Sequence, residues 1–342
     1  MLPGGDICSQ FGIMRIAING MGRIGRLLFR RILKDPAFTL VAVNDIMDAG
    51  NLVYLLKYDT LYGTWPGDMH LNGDQIEADG QRIAVMQKED PAQIDWSELD
   101  IDVVLECSGR FSDKAAASRH LQSGARKVLL STTGSPDIPL FIYGHNHHQL
   151  TKATDILSPG GCMTNCSTHI LYILNAIGIE SAQLNILHSY TSRQELVDTS
   201  HKQFRRGRAA AESIIPVEID LAHSLERLLP SLKDKIATLS VRVPVTNGAM
   251  ADLTIQMKEA VSREQVNQLF RKASENEYAG ILGYTEDPIV SADIKGNTHS
   301  LVIDGTLTSV IGRQVKIIAW FDNEYGYSSR ILDWLRYWQT IS

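Results

Sequence analysis

Short, almost continuously apolar runs alternate with helical patterns through the first half of the chain. Strands that are covered on both faces of a parallel sheet show such runs, because neither face meets water. Between the first two runs, apolar residues recur at helical spacing from Ile24 to Ile32. The pattern predicts a doubly wound α/β domain over residues 14–160, with strands at 15–19, 40–44, 102–107, 127–131 and 139–144.

Longer stretches in which apolar and polar residues alternate follow after Gly161. Alternation is typical of a sheet with one solvated face, so a second, α+β domain with a mixed or antiparallel sheet is expected over residues 161–327. A helical apolar stripe that includes Trp334 and Trp338 marks the last segment, and this helix, 328–342, is expected to complete the first domain. The alternating stretches are 183–191, 237–243, 249–257 and 315–321.

Composition and charge narrow the classes of function. The 342 residues carry 33 Lys and Arg against 39 Asp and Glu, a net charge of −6. A dedicated nucleic-acid binder needs a basic stripe that this chain lacks, and no run approaches the ~20 apolar residues that span a bilayer. Four cysteines are too few for a disulfide framework, which indicates a cytoplasmic protein. Residues 1–13 are interpreted as a loose extension, or as upstream translation before a true start at Met14.

Gly20, Gly22 and Gly25 form a GxGxxG pattern between the first predicted strand and the first helix. In a dinucleotide-binding loop these glycines permit the tight turn, the approach of the pyrophosphate and close helix packing. Asp45 follows 20 positions after Gly25, at the end of the second strand, where a carboxylate binds ribose hydroxyls and repels a 2′-phosphate. The pattern predicts NAD in preference to NADP; a tight turn without a ligand is the alternative.

Cys162 begins a helical segment at the start of the second domain, and Cys166 lies one turn further on. A helix amino end lowers the pKa of a thiol, which predicts a reactive thiolate at Cys162. His188, at the end of a predicted strand, is the candidate acid–base partner. A buried cysteine and a core histidine remain the alternative. The CxxxC spacing, even with the nearby histidines, matches no usual zinc site, so no metal is expected.

Several blocks together resemble the glyceraldehyde-3-phosphate dehydrogenase family, from Met14 to the end of the chain. The resemblance implies an NAD-dependent aldehyde dehydrogenase, with NADP not excluded because Thr199 and Ser200 lie in a loop that is permissive in some members. It also implies a homotetramer. The matching blocks are INGMGRIGR, VNDIMDAGNLVYLLKYDTLYG, GGCMTNC, HSYTSRQELVDTSHKQFRRGRAAAESIIP, VRVPVTN and FDNEYGYSSR.

The resemblance assigns roles to individual residues. Cys162 matches the nucleophile that forms a thioester from the aldehyde, and His188 matches the residue that activates it. Further cofactor contacts are implied at Arg23, Ile24, Ser131, Asn323 and Tyr327. Contacts to the phosphate of the substrate are implied at Thr191, Arg206 and Arg242, and Arg193 makes this pocket more basic than is usual in the family.

Other positions depart from the family pattern where inorganic phosphate would bind. Gly161 and Met163 replace hydroxyl residues around the nucleophile, and Val217, Glu218, Ile219 and Asp220 replace hydroxyl residues and a glycine. The segments IIPVEIDLA and HSLVIDGTLTSV resemble the erythrose-4-phosphate dehydrogenase branch, whose acyl-enzyme is released by water. The expected substrate is therefore erythrose 4-phosphate or glyceraldehyde 3-phosphate, with hydrolytic release. Alternatives are a phosphorylating glyceraldehyde-3-phosphate dehydrogenase and an NAD-binding paralogue with attenuated catalysis and a partner-binding role.

Overall fold

The computed structural model describes residues 12–341, and these divide into two compact units. The described part of the first unit covers residues 12–160 and 330–341, and the second unit is Gly161–Ser329. Most of the predicted N-terminal extension, residues 1–11, lies outside the described residues, as does Ser342.

The first unit is built on an eight-stranded sheet with the order β10-β9-β8-β1-β2-β7-β6-β5. Its strands from β10 to β7 run parallel, and β5 and β6 add an antiparallel edge. The prediction of a doubly wound parallel sheet is confirmed. The elements of residues 12–160 are β1 (Met14–Asn19), α1 (Arg23–Ile32), β2 (Phe38–Asn44), α2 (Ala49–Lys57), β3 (Tyr58–Asp59), β4 (Gly63–Thr64), β5 (Met69–Asn72), β6 (Gln75–Ala78), β7 (Gln81–Met86), β8 (Val103–Glu106), α3 (Lys114–Gln122), β9 (Lys127–Leu130) and β10 (Ile156–Leu157).

The strand predicted at 139–144 is wrong. Within that stretch only Leu140 forms a bridge, to Ser158, and the chain then turns. The side chain of Asn146 replaces the ladder: its Oδ1 accepts from Ile142 N at 2.7 Å and its Nδ2 donates to Leu140 O at 3.1 Å. Leu140 and Ile142 are buried although the run is not a strand, because the Asn146 side chain satisfies backbone groups that a sheet would otherwise pair.

The second unit contains a mixed sheet with the order β12-β13-β11-β14-β18-β16-β15, and β17 pairs with β18. Parallel pairing joins β11 to β13 and β15 to β16, and the remaining pairs are antiparallel, as the sequence predicted. Its elements are α4 (Cys162–Asn175), β11 (Ile179–Ser189), β12 (Ile215–Val217), α5 (Leu221–Leu228), β13 (Ile236–Val243), β14 (Ala249–Met257), α6 (Arg263–Glu275), β15 (Leu282–Thr285), β16 (Leu301–Asp304), β17 (Ser309–Ile311) and β18 (Gln314–Phe321).

The last helix, α7, spans Tyr325–Ile341, three residues longer at its start than the apolar stripe indicated. Its later turns belong to the first unit, where Trp334 is buried and its ring contacts Phe141 and Tyr143. Arg336 on the same turns pairs with Asp35. The stripe of large apolar side chains is therefore core of the first unit.

Candidate active site

The glycine loop connects β1 to α1 with a backbone that only glycine suits. Gly20 has a φ of +95°, and a Cβ there would lie 2.3 Å from Ser108 N. A Cβ at Gly25 would lie 2.1 Å from Gly20 O, so helix α1 packs directly on the turn. A Cβ at Gly22, the residue before α1, would meet nothing within 4 Å. The open space at the amino end of a helix fits a pyrophosphate.

Other predicted cofactor residues lie around this loop. Asp45 directly follows β2, and its Oδ2 accepts from Met21 N at 2.5 Å, so the carboxylate is tied to the glycine loop. Arg23 begins α1 and pairs with Asp59 at 2.6 Å. Ile24 is half-buried, and Ser131 follows β9 with its N donating to Glu106 O at 2.9 Å.

Cys162 is the first residue of α4, and its Sγ lies 3.7 Å from Nε2 of His188. His188 is the second-last residue of β11, and its Nδ1 donates to Ser189 O at 2.7 Å. This bond places the ring proton on Nδ1 and leaves Nε2 as the acceptor that faces the thiol. The pair therefore has the geometry of a nucleophile and its general base.

Burial sets the protonation of both groups. It raises the pKa of the Cys162 thiol to about 11, although Arg242 and the amides at the start of α4 act in the opposite direction. Burial and then Arg242 lower the pKa of His188 to about 3. Loss of water acts on the pKa of Cys162 more strongly than the helix amides do, in the direction opposite to the one that the helix end alone predicts. Burial therefore favours a neutral thiol beside a neutral imidazole.

Three arginines predicted to bind phosphate influence one another without a compensating carboxylate. Arg242 lies opposite His188 in the β11–β13 register. Burial lowers the pKa of Arg242 to about 10; Cys162 acts in the opposite direction, and Arg206 and Arg193 act in the same direction as burial. The pKa of Arg206 is also lowered, by burial and then by Arg193. The Nε of Arg242 and one Nη of Arg206 are buried without a hydrogen-bond partner. A cluster of unpaired guanidinium donors fits a phosphate.

Thr191 lies two residues before Arg193 in the sequence, and its side chain is held by hydrogen bonds to neighbouring residues. Its hydroxyl donates to Oε1 of Gln194 at 2.8 Å, and its Oγ1 accepts from Arg193 N at 3.3 Å. Gln194 also accepts from Thr191 N at 3.0 Å, and its own Nε2 is buried without a partner. Sequence reasoning missed Gln194, because an isolated glutamine beside a threonine carries no motif.

Asn323 lies in the same unit as Cys162, and Ser189 links it to His188. Its Oδ1 accepts from Ser189 Oγ at 3.1 Å and from Gly248 N at 3.0 Å, so its amide nitrogen is the end left to donate. Tyr327 is buried on the first turn of α7. Ser189 was not foreseen as a site residue; its place next to His188 was the only signal in the sequence.

Thr199 and Ser200, which bear on the choice between NAD and NADP, are exposed. Among residues 12–341, no group of three or more His, Cys, Asp and Glu side chains is placed to hold a metal ion. Within the same residues, none of the helices combines the length and apolar character that crossing a membrane requires.

Comparisons with known proteins match nearly the whole chain. Residues 14–114 match the family model described as glyceraldehyde 3-phosphate dehydrogenase, NAD binding domain, and residues 161–323 match its C-terminal domain. Glyceraldehyde-3-phosphate dehydrogenase 2 of Bacillus subtilis is 39% identical over 327 residues, covering 95% of this chain and 96% of that protein. The Borreliella burgdorferi glyceraldehyde-3-phosphate dehydrogenase is 42% identical over 329 residues, covering 94% and 98%.

Proposed function

Because this chain belongs to the glyceraldehyde-3-phosphate dehydrogenase family and is an NAD-dependent dehydrogenase, we propose that it oxidises a small phosphorylated aldehyde through a thioester on Cys162. We propose further that water releases the product as a free acid. The observation that carries the proposal is the 3.7 Å approach of Cys162 Sγ to His188 Nε2, with the tautomer of His188 fixed by Ser189 O.

The first half of the reaction uses these two neutral groups. His188 Nε2 takes the thiol proton as Sγ bonds to the aldehyde carbon, and the carbonyl oxygen receives that proton to give a hemithioacetal. Bound NAD supplies the hydride acceptor. His188 then removes the hydroxyl proton as the carbonyl forms again, which leaves the thioester on Sγ. A neutral base with an open lone pair suits both proton transfers.

In the second half, water takes the place of the thiol as the proton donor to His188. His188 first releases to solvent the proton that it took from the hydroxyl. Nε2 then accepts a proton from water as the water oxygen adds to the thioester carbon, the C–S bond breaks, and this proton is transferred to Sγ. The product is the carboxylic acid.

The arginine cluster of Arg193, Arg206 and Arg242 supports a phosphate on the substrate, since Nε of Arg242 and one Nη of Arg206 are buried without a hydrogen-bond partner. The names of the relatives support glyceraldehyde 3-phosphate as that substrate. Erythrose 4-phosphate is supported by the segments IIPVEIDLA and HSLVIDGTLTSV alone. Both share the aldehyde and the phosphate that the cluster and the nucleophile require.

Release by water is supported by missing side-chain donors near the nucleophile. Gly161 and Met163 flank Cys162 without a hydroxyl. Val217 is buried, Ile219 is half-buried, and Glu218 and Asp220 are exposed carboxylates that repel an anion. An attacking phosphate dianion needs donors to replace its hydration, and each 1.4 kcal/mol left uncompensated is about tenfold in rate.

The test compares steady-state NADH formation in phosphate-free buffer with the same buffer plus millimolar phosphate or arsenate, for both aldehydes. We expect turnover without either anion, stimulation of less than about twofold, and the free acid as the product by mass. Gly161→Ser is the matched variant: its new side chain enters open space and adds a hydroxyl donor, so it should increase the response to phosphate. Strict dependence on phosphate, with an acyl phosphate as the product, contradicts hydrolytic release.

A phosphorylating reaction is the second candidate, favoured by one observation. One Nη of Arg206 is buried without a partner, and the amino end of α4 offers backbone N–H groups beside Cys162. These donors suit a phosphate without the missing hydroxyls. The same measurement distinguishes the two reactions, and no NADH with either aldehyde favours the attenuated NAD-binding paralogue.

We also propose a homotetramer in the cytoplasm. The cytoplasmic assignment is supported by the state of Cys107, Cys162 and Cys166, which are all unpaired, because a nucleophilic thiol needs a reducing compartment.

A further inference from the structure

A row of buried polar side chains crosses the carboxyl ends of the three central strands in the first unit. Asn44, Asn19 and Glu106 are the last residues of β2, β1 and β8, and the strand register places them side by side. Their exposed fractions are 3%, 2% and 1%. Burying an amide pair and a carboxyl group costs free energy unless every polar atom is paired, so this row calls for a specific role.

Hydrogen bonds run along the whole row. Lys88 N donates to Asn44 Oδ1 at 2.8 Å, and Asn44 Nδ2 donates to Asn19 Oδ1 at 2.7 Å. Asn19 Nδ2 donates to Glu106 Oε2 at 2.5 Å. The row therefore fixes the spacing of three strand ends by side chains, in addition to the backbone ladder.

Glu106 ends the row and is surrounded by donors. Ser108 donates to Oε1 through both its N, at 2.8 Å, and its Oγ, at 2.5 Å. His120 of α3 lies 2.9 Å from Oε2 through Nε2, and Trp96 Nε1 donates to its Nδ1 at 3.2 Å, so Nε2 carries the proton and donates. With Asn19 this makes four donated hydrogen bonds to the two oxygens of one side chain.

The row lies where the sheet order changes direction. From β1 the chain continues to β2 on one side, and β8 lies on the other, which is the switch point where doubly wound sheets bind ligands. Gly20 follows β1, and Ser108 follows β8. The close approach of Ser108 N to Gly20 brings the two loops into contact. Glu106 holds Ser108, and Ser108 supports the glycine loop.

We propose that Glu106, held by Asn19 and His120, is a positioning residue for NAD: it fixes the loop after β8 against the glycine loop and thereby sets NAD affinity, without a part in the chemistry at Cys162. Asp45 follows Asn44 directly, so the same row connects Ser108, the glycine loop and the ribose-binding carboxylate. The proposal needs only that the chain binds NAD, and it does not depend on which aldehyde or nucleophile completes the reaction.

The test is Glu106→Gln, which keeps the shape of the side chain and replaces one acceptor oxygen by a donor. We expect the Kd and KM of NAD to rise about tenfold or more, because the donors on the replaced oxygen, either those of Ser108 or those of Asn19 and His120, lose their acceptor and the loop shifts. The kcat at saturating NAD should stay within about threefold of wild type, and alkylation of Cys162 by iodoacetamide should keep its rate.

Val128→Ala is the matched control, since it opens a cavity in the same sheet away from these loops. It should lower the melting temperature and leave the Kd of NAD unchanged. Glu106→Gln with a lowered melting temperature and an unchanged Kd would show a merely structural role and overturn the proposal. If that variant does not fold, Ser108→Ala is the substitute: it removes the Oγ that donates to Glu106 and accepts from Arg110 N, and it should raise the Kd about threefold. An unchanged value overturns the proposal as well.

Discussion

The environment of Cys162 decides its chemistry more than its place on a helix does. The sequence singled out Cys162 and His188 as the candidate nucleophile and base, because a cysteine at a helix start and a histidine at a strand end are visible as patterns. It could not show that burial opposes the helix amides and raises the thiol pKa to about 11. Burial depends on residues far apart in the chain, such as Arg242 beside His188, and a local pattern contains no such information.

The protonation state of Cys162 predicts how its alkylation depends on pH. Since only the thiolate reacts, the rate with iodoacetamide should rise about tenfold per pH unit between pH 7 and 9, with no plateau. Peptide mapping should find Cys162 modified before Cys107, whose pKa burial raises to about 12, and before the fully buried Cys166. Arg242→Gln should slow the reaction at a given pH, because Arg242 favours the thiolate.

A plateau below pH 8 would indicate a thiolate–imidazolium pair and contradict this assignment. Dehydrogenase activity should disappear in step with the modification of Cys162. Labelled protein that keeps its full turnover would remove Cys162 from the reaction altogether.

Four strands of the parallel sheet, β1, β2, β8 and β9, were predictable because each is largely buried and leaves an apolar run. The structure places β1, β2, β8 and β9 within two residues of the predicted bounds at either end. The strands of 58–86 were missed, since they are two to six residues long and mostly half-exposed, with no clear period. The prediction of a strand at 139–144 failed for a different reason: the run is apolar and its Leu140 and Ile142 are buried, but the Asn146 side chain pairs backbone groups of both residues.

The prediction of the preferred cofactor depends on Asp45, which follows the carboxyl end of β2. Asp45 would repel a 2′-phosphate and accept from ribose hydroxyls, so NAD should give a higher kcat/KM than NADP. Asp45→Ala should raise the KM of NAD about tenfold, because the carboxylate also accepts from Met21 N of the glycine loop. The same substitution should narrow the difference in kcat/KM between NAD and NADP. Asp45→Asn keeps an acceptor without the charge, and it should recover more NADP activity than NAD activity.

Equal or better use of NADP by the wild-type protein would contradict the role of Asp45. Thr199 and Ser200 would then be the residues to exchange next.

At the scale of the whole chain, the order of the sequence patterns predicted the fold and the family better than any single motif did. The parallel strands, the glycine loop, the cysteine helix and the alternating strands follow one another as the family does, which the comparisons confirm. The residues that support the site could not be predicted from the sequence. Ser189, Gln194 and the row from Asn44 to Glu106 act through side-chain hydrogen bonds between segments up to 134 residues apart, and such contacts exist only after folding.

The exposed apolar side chains of the second unit make the expected homotetramer testable. In the segment from Thr191 to Pro216, four large apolar side chains are 72–89% exposed: Leu196, Val197, Phe204 and Ile214. Apolar area contributes about 25 cal/mol per Å² when it is removed from water, and a patch that one chain leaves exposed is typical of an interface. A second copy of this chain is the proposed occupant, as the family resemblance implies a homotetramer.

Light scattering after size exclusion should therefore give the mass of four chains for the wild-type protein. Phe204→Asp should shift the mass to smaller species at micromolar concentration, since a buried carboxylate in an apolar contact costs several kcal/mol. Ile177→Asp is the matched control: Ile177 is an exposed apolar residue of the same unit outside this segment, and its substitution should leave the mass unchanged. An unchanged mass for Phe204→Asp would place the interface elsewhere, and a monomeric wild-type protein would contradict the tetramer itself.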